Sequence, residues 1–374
     1  MNANDTPAGV PTGRDFSNMA ALAFSDRGMI LGTKLTALYP QLSLNRCGKG
    51  MLSAWSREHF PKEDALIYIG AAGIAIRGIA PLVESKMADP AVLVIDELGQ
   101  FVIPVLSGHV GGANALAREI AEAIGAVPVI TTATDINKVF AVDTWAVSQG
   151  LFITNPLRIK HVSSTLLDKK DIRLISKYAI AGTIPNHVVP MADPLEEAAD
   201  ADPGEAGGPD CDLLITWDAK PRKGSPLRLV APAVTLGVGC RKDIAQEAIE
   251  ELYQQLLEET GIHPAAVCEV TSIDLKAEEK GLLKFAAAHG LPFHTYPAED
   301  LSQAPGEYAP SEFVRSVTGV DNVCERAAVL GACERAAALG AEDPAAAVRV
   351  LVHKTALHGV TMALALTPPR LRWD

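Results

Sequence analysis

Short apolar runs of strand character, at residues 20–24, 65–69, 91–95 and 101–106, alternate with stretches at 29–38 and 74–83 whose apolar positions recur at helical spacing. Such alternation predicts an α/β fold. The clearest unit spans 96–137, where the run 101–106, an alanine-rich helical stretch and a further run at 127–131 follow one another, and each run ends in a polar loop, 107–114 and 131–137. This is a βαβ unit. Its crossover length favours parallel strands, so both loops are expected at one carboxyl edge of the sheet, where open α/β folds bind their ligands. The turn 96–100 is too short for a crossover, which predicts a hairpin between 91–95 and 101–106 and a mixed, largely parallel sheet. If 65–69 runs parallel to 91–95, the 70–77 loop and Glu97 lie at the edge opposite 107–114.

Further along come an amphipathic stretch around Trp145, strand runs at 151–154 and 172–176, and a helix near 157–167. Residues 192–209 are acidic, rich in Gly and Pro and too polar to pack, so they read as a flexible excursion. A second α/β body is expected from about Val230, with a strand ending at Gly237-Val238-Gly239-Cys240 and an amphipathic helix at 243–260. Strands at 267–273, 292–296, 348–353 and 360–366 and a helix at 278–289 complete it. The organisation expected is a disordered tail (1–18), an amino-terminal α/β domain (19–140), a middle region (141–229) and a smaller carboxyl-terminal α/β domain (230–369), making two or three α/β domains. A short repeat begins at Cys324 and again at Cys333; its offset puts the copies on opposite faces of a helix, so it is no repeated ligand site.

At 374 residues the chain can bury two or three ordinary cores, and a composition 48% hydrophobic with 5% aromatic suits α/β layers better than a β-sandwich. The formal net charge of −12 argues against nucleic acid or anionic membrane as a partner, so a polyanionic ligand needs a local basic or N–H pocket. Six cysteines without a CxxC pair, and an amino terminus without an apolar signal region, point to reduced thiols and a cytoplasmic location. No apolar segment is long enough to span a bilayer. The histidines show no metal-ligand spacing, so no protein-held metal is expected.

The loop Ser107-Gly108-His109-Val110-Gly111-Gly112 has glycines that let backbone amides approach an anion, and an imidazole suited to acid, base or oxyanion chemistry near neutral pH. A glycine-rich turn with a capping histidine is the structural alternative. It lacks the order of a P-loop or a dinucleotide fingerprint. Thr131, Thr132 and Asp135 can bind a polar substrate or simply form a turn and cap. In the second body, Gly239, Cys240, Arg241 and Lys242 form a strand-to-helix loop. Cys240 is read as a bystander rather than a nucleophile, since no partner histidine is identifiable. Asp274, Lys276 and Glu279 suit a site or a solvated cluster equally, and Lys354 could reach a carboxylate.

Several of these segments together resemble the cobalt-precorrin-5A hydrolase family of anaerobic cobalamin biosynthesis. The resemblance is carried by Gly73-Ile-Ala-Ile-Arg77, 89–97, Leu106-Ser-Gly-His-Val-Gly-Gly-Ala-Asn114 and Thr131-Thr-Ala-Thr-Asp135, and continues at 236–241, 273–279, 311–314 and 360–363. It runs colinearly from about Asn18 to Leu366, loosely between Trp145 and Pro232. The excursion at 192–209 and the doubled repeat depart from the family pattern.

The resemblance implies hydrolysis of the δ-lactone between the ring A acetate and C20 of cobalt-precorrin-5A. C20 and its methyl then leave as acetaldehyde, giving cobalt-precorrin-5B. The partners it implies are corrinoid intermediates and transient contacts with enzymes of the pathway. No cofactor is implied, because the cobalt belongs to the substrate. For this reaction His109 is expected to activate the water, with neighbouring loop N–H groups holding the oxyanion and Asp135 orienting the imidazole; Glu97 is the rival base, and its place at the opposite edge counts against it. The substrate would be bound by Ser107, Gly108, Gly111, Gly112, Asn114, Thr131, Thr132, Arg77, Lys86, Gly239, Cys240, Arg241, Lys276 and Glu279, its carboxylates meeting the glycine amides and the Arg and Lys side chains. The two bodies are expected to face each other across a cleft. A non-catalytic corrinoid escort is the alternative, and a methyltransferase is disfavoured because 237–240 lacks a Gly-Pro-Gly turn.

Overall fold

The computed structural model describes residues 16–85, 88–109, 111–192 and 210–373. Most of the tail expected at 1–18, Lys86, Val110 and nearly all of the excursion expected at 192–209 lie outside the described residues. The chain divides into two compact units, residues 1–148 with 163–170 and residues 149–162 with 171–374.

The first unit is built on a six-stranded sheet in the order β2-β1-β3-β4-β5-β6. Its strands are β1 (Met19–Ala23), β2 (Leu42–Arg46), β3 (Ala65–Ile69), β4 (Ala91–Ile95), β5 (Phe101–Leu106) and β6 (Val127–Pro128). β1, β3 and β4 are buried along their whole length, which is why they read as continuous apolar runs. Their side chains alternate between two helical layers. Ala21, Ala23, Ile67, Ile69, Leu93 and Ile95 share a core with residues of α1 (Asp26–Leu38) and α4 (Ala113–Ile124). Ala20, Leu22, Leu66, Tyr68, Val92 and Val94 share another with α2 (Leu52–His59) and α3 (Ala72–Ile79). Each large aliphatic side chain so buried contributes about 1.5–3 kcal/mol before conformational entropy is subtracted.

β3 and β4 are parallel, β4 and β5 antiparallel, and β5 and β6 parallel, so the sheet is mixed as expected. The loop after β5 therefore emerges at the edge where β3 and β4 begin, and Ser107 Oγ there donates to the carbonyl of Asp89, 3.0 Å away. Glu97 lies at the opposite edge and accepts from Ser25 Oγ at 2.7 Å. β2 and α2 escaped the sequence reading because β2 buries only Leu42 fully. β6 is also shorter than the run 127–131; the polar segment beyond it becomes α5 (Ala133–Asn137), followed by α6 (Val142–Ser148).

The second unit carries two five-stranded sheets. One runs β10-β8-β11-β12-β7 and consists of β7 (Phe152–Ile153), β8 (Ile172–Ser176), β10 (Val188–Met191), β11 (Leu213–Thr216) and β12 (Leu227–Val230). β9 (Ile180–Ala181) pairs instead with β18 (Leu371–Arg372). The other sheet runs β15-β14-β13-β17-β16 and consists of β13 (Val234–Cys240), β14 (Val267–Ile273), β15 (Phe293–Tyr296), β16 (Arg349–Leu357) and β17 (Val360–Leu366). α7 (Ile159–Leu167) spans the division between the units. The later helices are α8 (Gln246–Thr260), α9 (Lys280–Ala288), α10 (Ala298–Ser302), α11 (Glu312–Thr318) and α12 (Cys324–Ala338). Both copies of the Cys-Glu-Arg-Ala-Ala repeat fall in α12. Glu325 is buried and its counterpart Glu334 exposed, as opposite faces require. Among the described residues no helix is long and apolar enough to cross a membrane.

Candidate active site at the end of β5

The loop from β5 into α4 is folded tightly on itself. Ser107 takes a left-handed backbone with φ 56°, and Gly112, which caps α4, has φ 79°. The amides of Gly112, Ala113 and Asn114 donate to the carbonyls of His109, Ser107 and Gly108 at 2.8, 3.1 and 2.9 Å. A Cβ on Gly108 would lie 2.7 Å from Asn114 Oδ1, and one on Gly111 would lie 2.3 Å from Ser107 Cβ. The glycines are thus required by close packing. Gly112 spends its amide within the loop, so it is not part of an open anion cradle.

This turn aims His109 at two carboxylates. Its Nε2 is 3.0 Å from Asp135 Oδ2 and its Nδ1 is 3.3 Å from Asp143 Oδ2, with Thr134 Oγ1 also 3.0 Å from Nε2. α4 holds Asp135 in place: Asn114 Nδ2 donates to Asp135 Oδ2 at 3.0 Å and to Thr132 Oγ1 at 2.7 Å, and Arg118 one turn later donates to Asp135 Oδ1 at 2.6 Å. Asp143, in the first turn of α6, accepts from the Thr144 amide at 3.0 Å. The side chains of His109 and Asp143 are 17% and 7% exposed, so water competes weakly for their contact.

A neutral imidazole has one N–H and one lone pair, and the lone pair would face a carboxylate on one side; two carboxylates therefore favour the imidazolium. The hydrogen bond to Asp143 raises the pKa of His109 above the ordinary histidine value. Burial opposes this and the Asp135 bond adds to it, for a net rise. Burial pushes Asp135 up, but the bonds from Arg118 and His109 outweigh it and hold the carboxyl below its usual range. Asp135 is thus a poor proton acceptor, and His109 is the group at this edge placed to exchange a proton near neutral pH.

Of the residues singled out from the sequence, Ser107, Gly108, His109, Gly111, Gly112, Asn114, Thr132 and Asp135 come together here. Thr131 is exposed on the approach to α5. Arg77 is exposed near the end of α3, which packs in the other core layer of the sheet from α4. Gly239, Cys240, Arg241 and Lys276 gather in the second unit around a separate cavity of about 660 Å³. Burial pushes the Cys240 thiol up to about 11, which leaves it protonated at neutral pH. Glu279 accepts from the amides of Asp243 and Ile244 at 3.2 and 3.1 Å and from Lys276 Nζ at 3.1 Å, so its carboxylate is engaged in holding the loop ahead of α8. Asp143 was missed from the sequence, because a lone aspartate in an amphipathic stretch carries no local sign of a partner 34 residues earlier. No cluster of His, Cys, Asp and Glu able to hold a metal ion occurs among the described residues.

Residues 54–135 match the family described as Cobalamin synthesis G N-terminal, and residues 234–365 match Cobalamin synthesis G C-terminus. The cobalt-precorrin-5A hydrolase of Salmonella typhimurium is 36% identical over 337 residues, covering 84% of this chain and 91% of that protein. The cobalt-precorrin-5A hydrolase of Priestia megaterium is 33% identical over 282 residues, covering 72% and 73%. Protein CobE of a Sinorhizobium species is 34% identical over 100 residues, 26% of this chain and 65% of its own.

Proposed function

The chain belongs to the cobalt-precorrin-5A hydrolase family, and we propose that it hydrolyses the δ-lactone of cobalt-precorrin-5A, releasing acetaldehyde and cobalt-precorrin-5B, with His109 as the acid–base group. The observation that carries this assignment of chemistry is the imidazole held between Asp143 and Asp135 in a tight loop at a sheet edge. In its neutral form His109 takes a proton from water as the water oxygen bonds to the lactone carbonyl. The tetrahedral oxyanion falls to the amides of Gly108, His109 and Gly111, for which the loop's backbone bonds among the described residues have no use. The ring C–O bond then breaks and His109 returns the proton to the departing C20 oxygen. The C20 hydroxyl then gives up its proton and the carbon–carbon bond joining C20 to the macrocycle breaks, so that C20, its methyl and its oxygen leave as acetaldehyde while the ring carbon keeps the bonding electron pair and takes up a proton.

Asp143 on Nδ1 steadies the ring, and water takes the place that Asp135 and Thr134 hold against Nε2. Both residues ride on the short α5, so a small displacement of that helix opens the nitrogen. The cobalt is part of the substrate, and no resident cofactor enters these steps. The reaction is assigned to the cytoplasm, among corrinoid intermediates exchanged with other enzymes of the pathway. The test is acetaldehyde release from cobalt-precorrin-5A by purified wild type and His109→Gln. Equal release by the two removes His109 from the reaction, and none from wild type removes the activity.

A further inference from the structure

Four strand ends and one short helix of the second unit, far apart in sequence, enclose the cavity of about 660 Å³, within the range of small-molecule sites. Its lining includes Arg241, Lys242, Lys276 and Lys354 but neither Asp nor Glu, in a chain whose formal net charge is −12. Lys276 is paired with Glu279 at 3.1 Å, whereas Arg241, Lys242 and Lys354 form no ion pair among the described residues. The walls are apolar and open to water. Leu275, Phe313 and Val317 are 63%, 77% and 62% exposed, which leaves a contiguous greasy surface of the kind that marks a binding site. Phe313 and Val317 lie one turn apart on α11, so they present one face.

A small inorganic anion would use the cations and leave the apolar walls wet, and a neutral lipid would do the reverse. The combination fits a bulky apolar body whose rim carries several carboxylates. Resting on the function proposed above, we infer that this cavity grips the corrinoid macrocycle, with Leu275, Phe313 and Val317 against its apolar face and Arg241, Lys242 and Lys354 on its side-chain carboxylates. The carboxyl-terminal sheet then determines affinity for the ring.

The probes are dicyanocobyrinic acid, a stable cobalt corrinoid whose side chains end in carboxylates, and dicyanocobinamide, whose corresponding side chains are amides. Each is titrated by calorimetry into the full chain as wild type, Arg241→Ala/Lys354→Ala, Val317→Asp and His109→Gln. The acid should bind wild type about tenfold or more tighter than the amide, and increasingly weakly as salt is raised. The double variant should lose about tenfold or more in affinity for the acid, Val317→Asp should lose at least as much, and His109→Gln should bind as wild type does. Circular dichroism melting confirms that the variants are folded. Absence of binding, equal binding of acid and amide, or unchanged affinity in both cavity variants overturns the inference. If the cavity binds as expected while wild type releases no acetaldehyde from cobalt-precorrin-5A, the proposed hydrolysis falls and the binding site stands.

Discussion

Changing Asp143 to Asn preserves the shape of the side chain and removes its charge, which isolates the contact with His109 Nδ1 at 3.3 Å. Hydrogen bonds to charged groups contribute about 1.5–3 kcal/mol. Strong charge-assisted bonds are shorter, about 2.7–2.9 Å, so this one belongs near the lower end, about 1.5 kcal/mol. Since about 1.4 kcal/mol corresponds to a tenfold change in rate, kcat should fall about tenfold if the contact persists in the transition state. The proton equilibrium should respond as well. Asp143 is the largest cause of the raised His109 pKa, so its loss moves the His109 titration midpoint down, and with it the acid limb of the pH–rate profile. The assay couples acetaldehyde from cobalt-precorrin-5A to NADH oxidation by alcohol dehydrogenase, with NMR of the labelled imidazole following the titration. An unmoved midpoint together with an unmoved kcat would refute the reasoning, because Asp143 would then govern neither the proton nor the ring.

Replacing His109 with Gln should lower kcat by about 10²-fold or more while the far-ultraviolet circular dichroism stays that of wild type. Glu97→Gln, at the opposite sheet edge, should keep kcat within about threefold; a loss comparable to that of His109→Gln would move the base to that edge. Gly111→Ala forces a Cβ to within 2.7 Å of the Ser107 carbonyl oxygen and should destabilise the first unit by about 1–3 kcal/mol in urea unfolding. His109 also makes stability depend on pH. Because its folded pKa is raised, its contribution is fully present below the unfolded value and is lost as pH rises through the folded value. Melting temperatures measured across that window should therefore decline more in wild type than in His109→Gln.

Local patterning determined a good part of this molecule. Continuous apolar runs announced β1, β3 and β4, since strands covered on both faces have no polar positions. The short turn after β4 settled that β5 runs back beside it, and this alone put His109 and Glu97 at opposite edges. The clustered glycines of 107–112 marked the β5–α4 loop, and the structure adds close packing at Gly108 and Gly111 as a reason for them. Where burial is partial or strands are short, the signal faded. β2 buries one residue fully, and β10, β11 and β12 span four residues each and are held by long-range pairing.

Only the tertiary structure decided that Asp143 reaches His109, that Glu279 is engaged by the Asp243 and Ile244 amides, and that Lys354 joins Arg241 around one cavity. The physical reason is that periodicity records which face of an element is buried, a property of a few neighbouring residues. Partnership between side chains far apart in sequence arises from the packing of whole elements, and nothing in either neighbourhood encodes it.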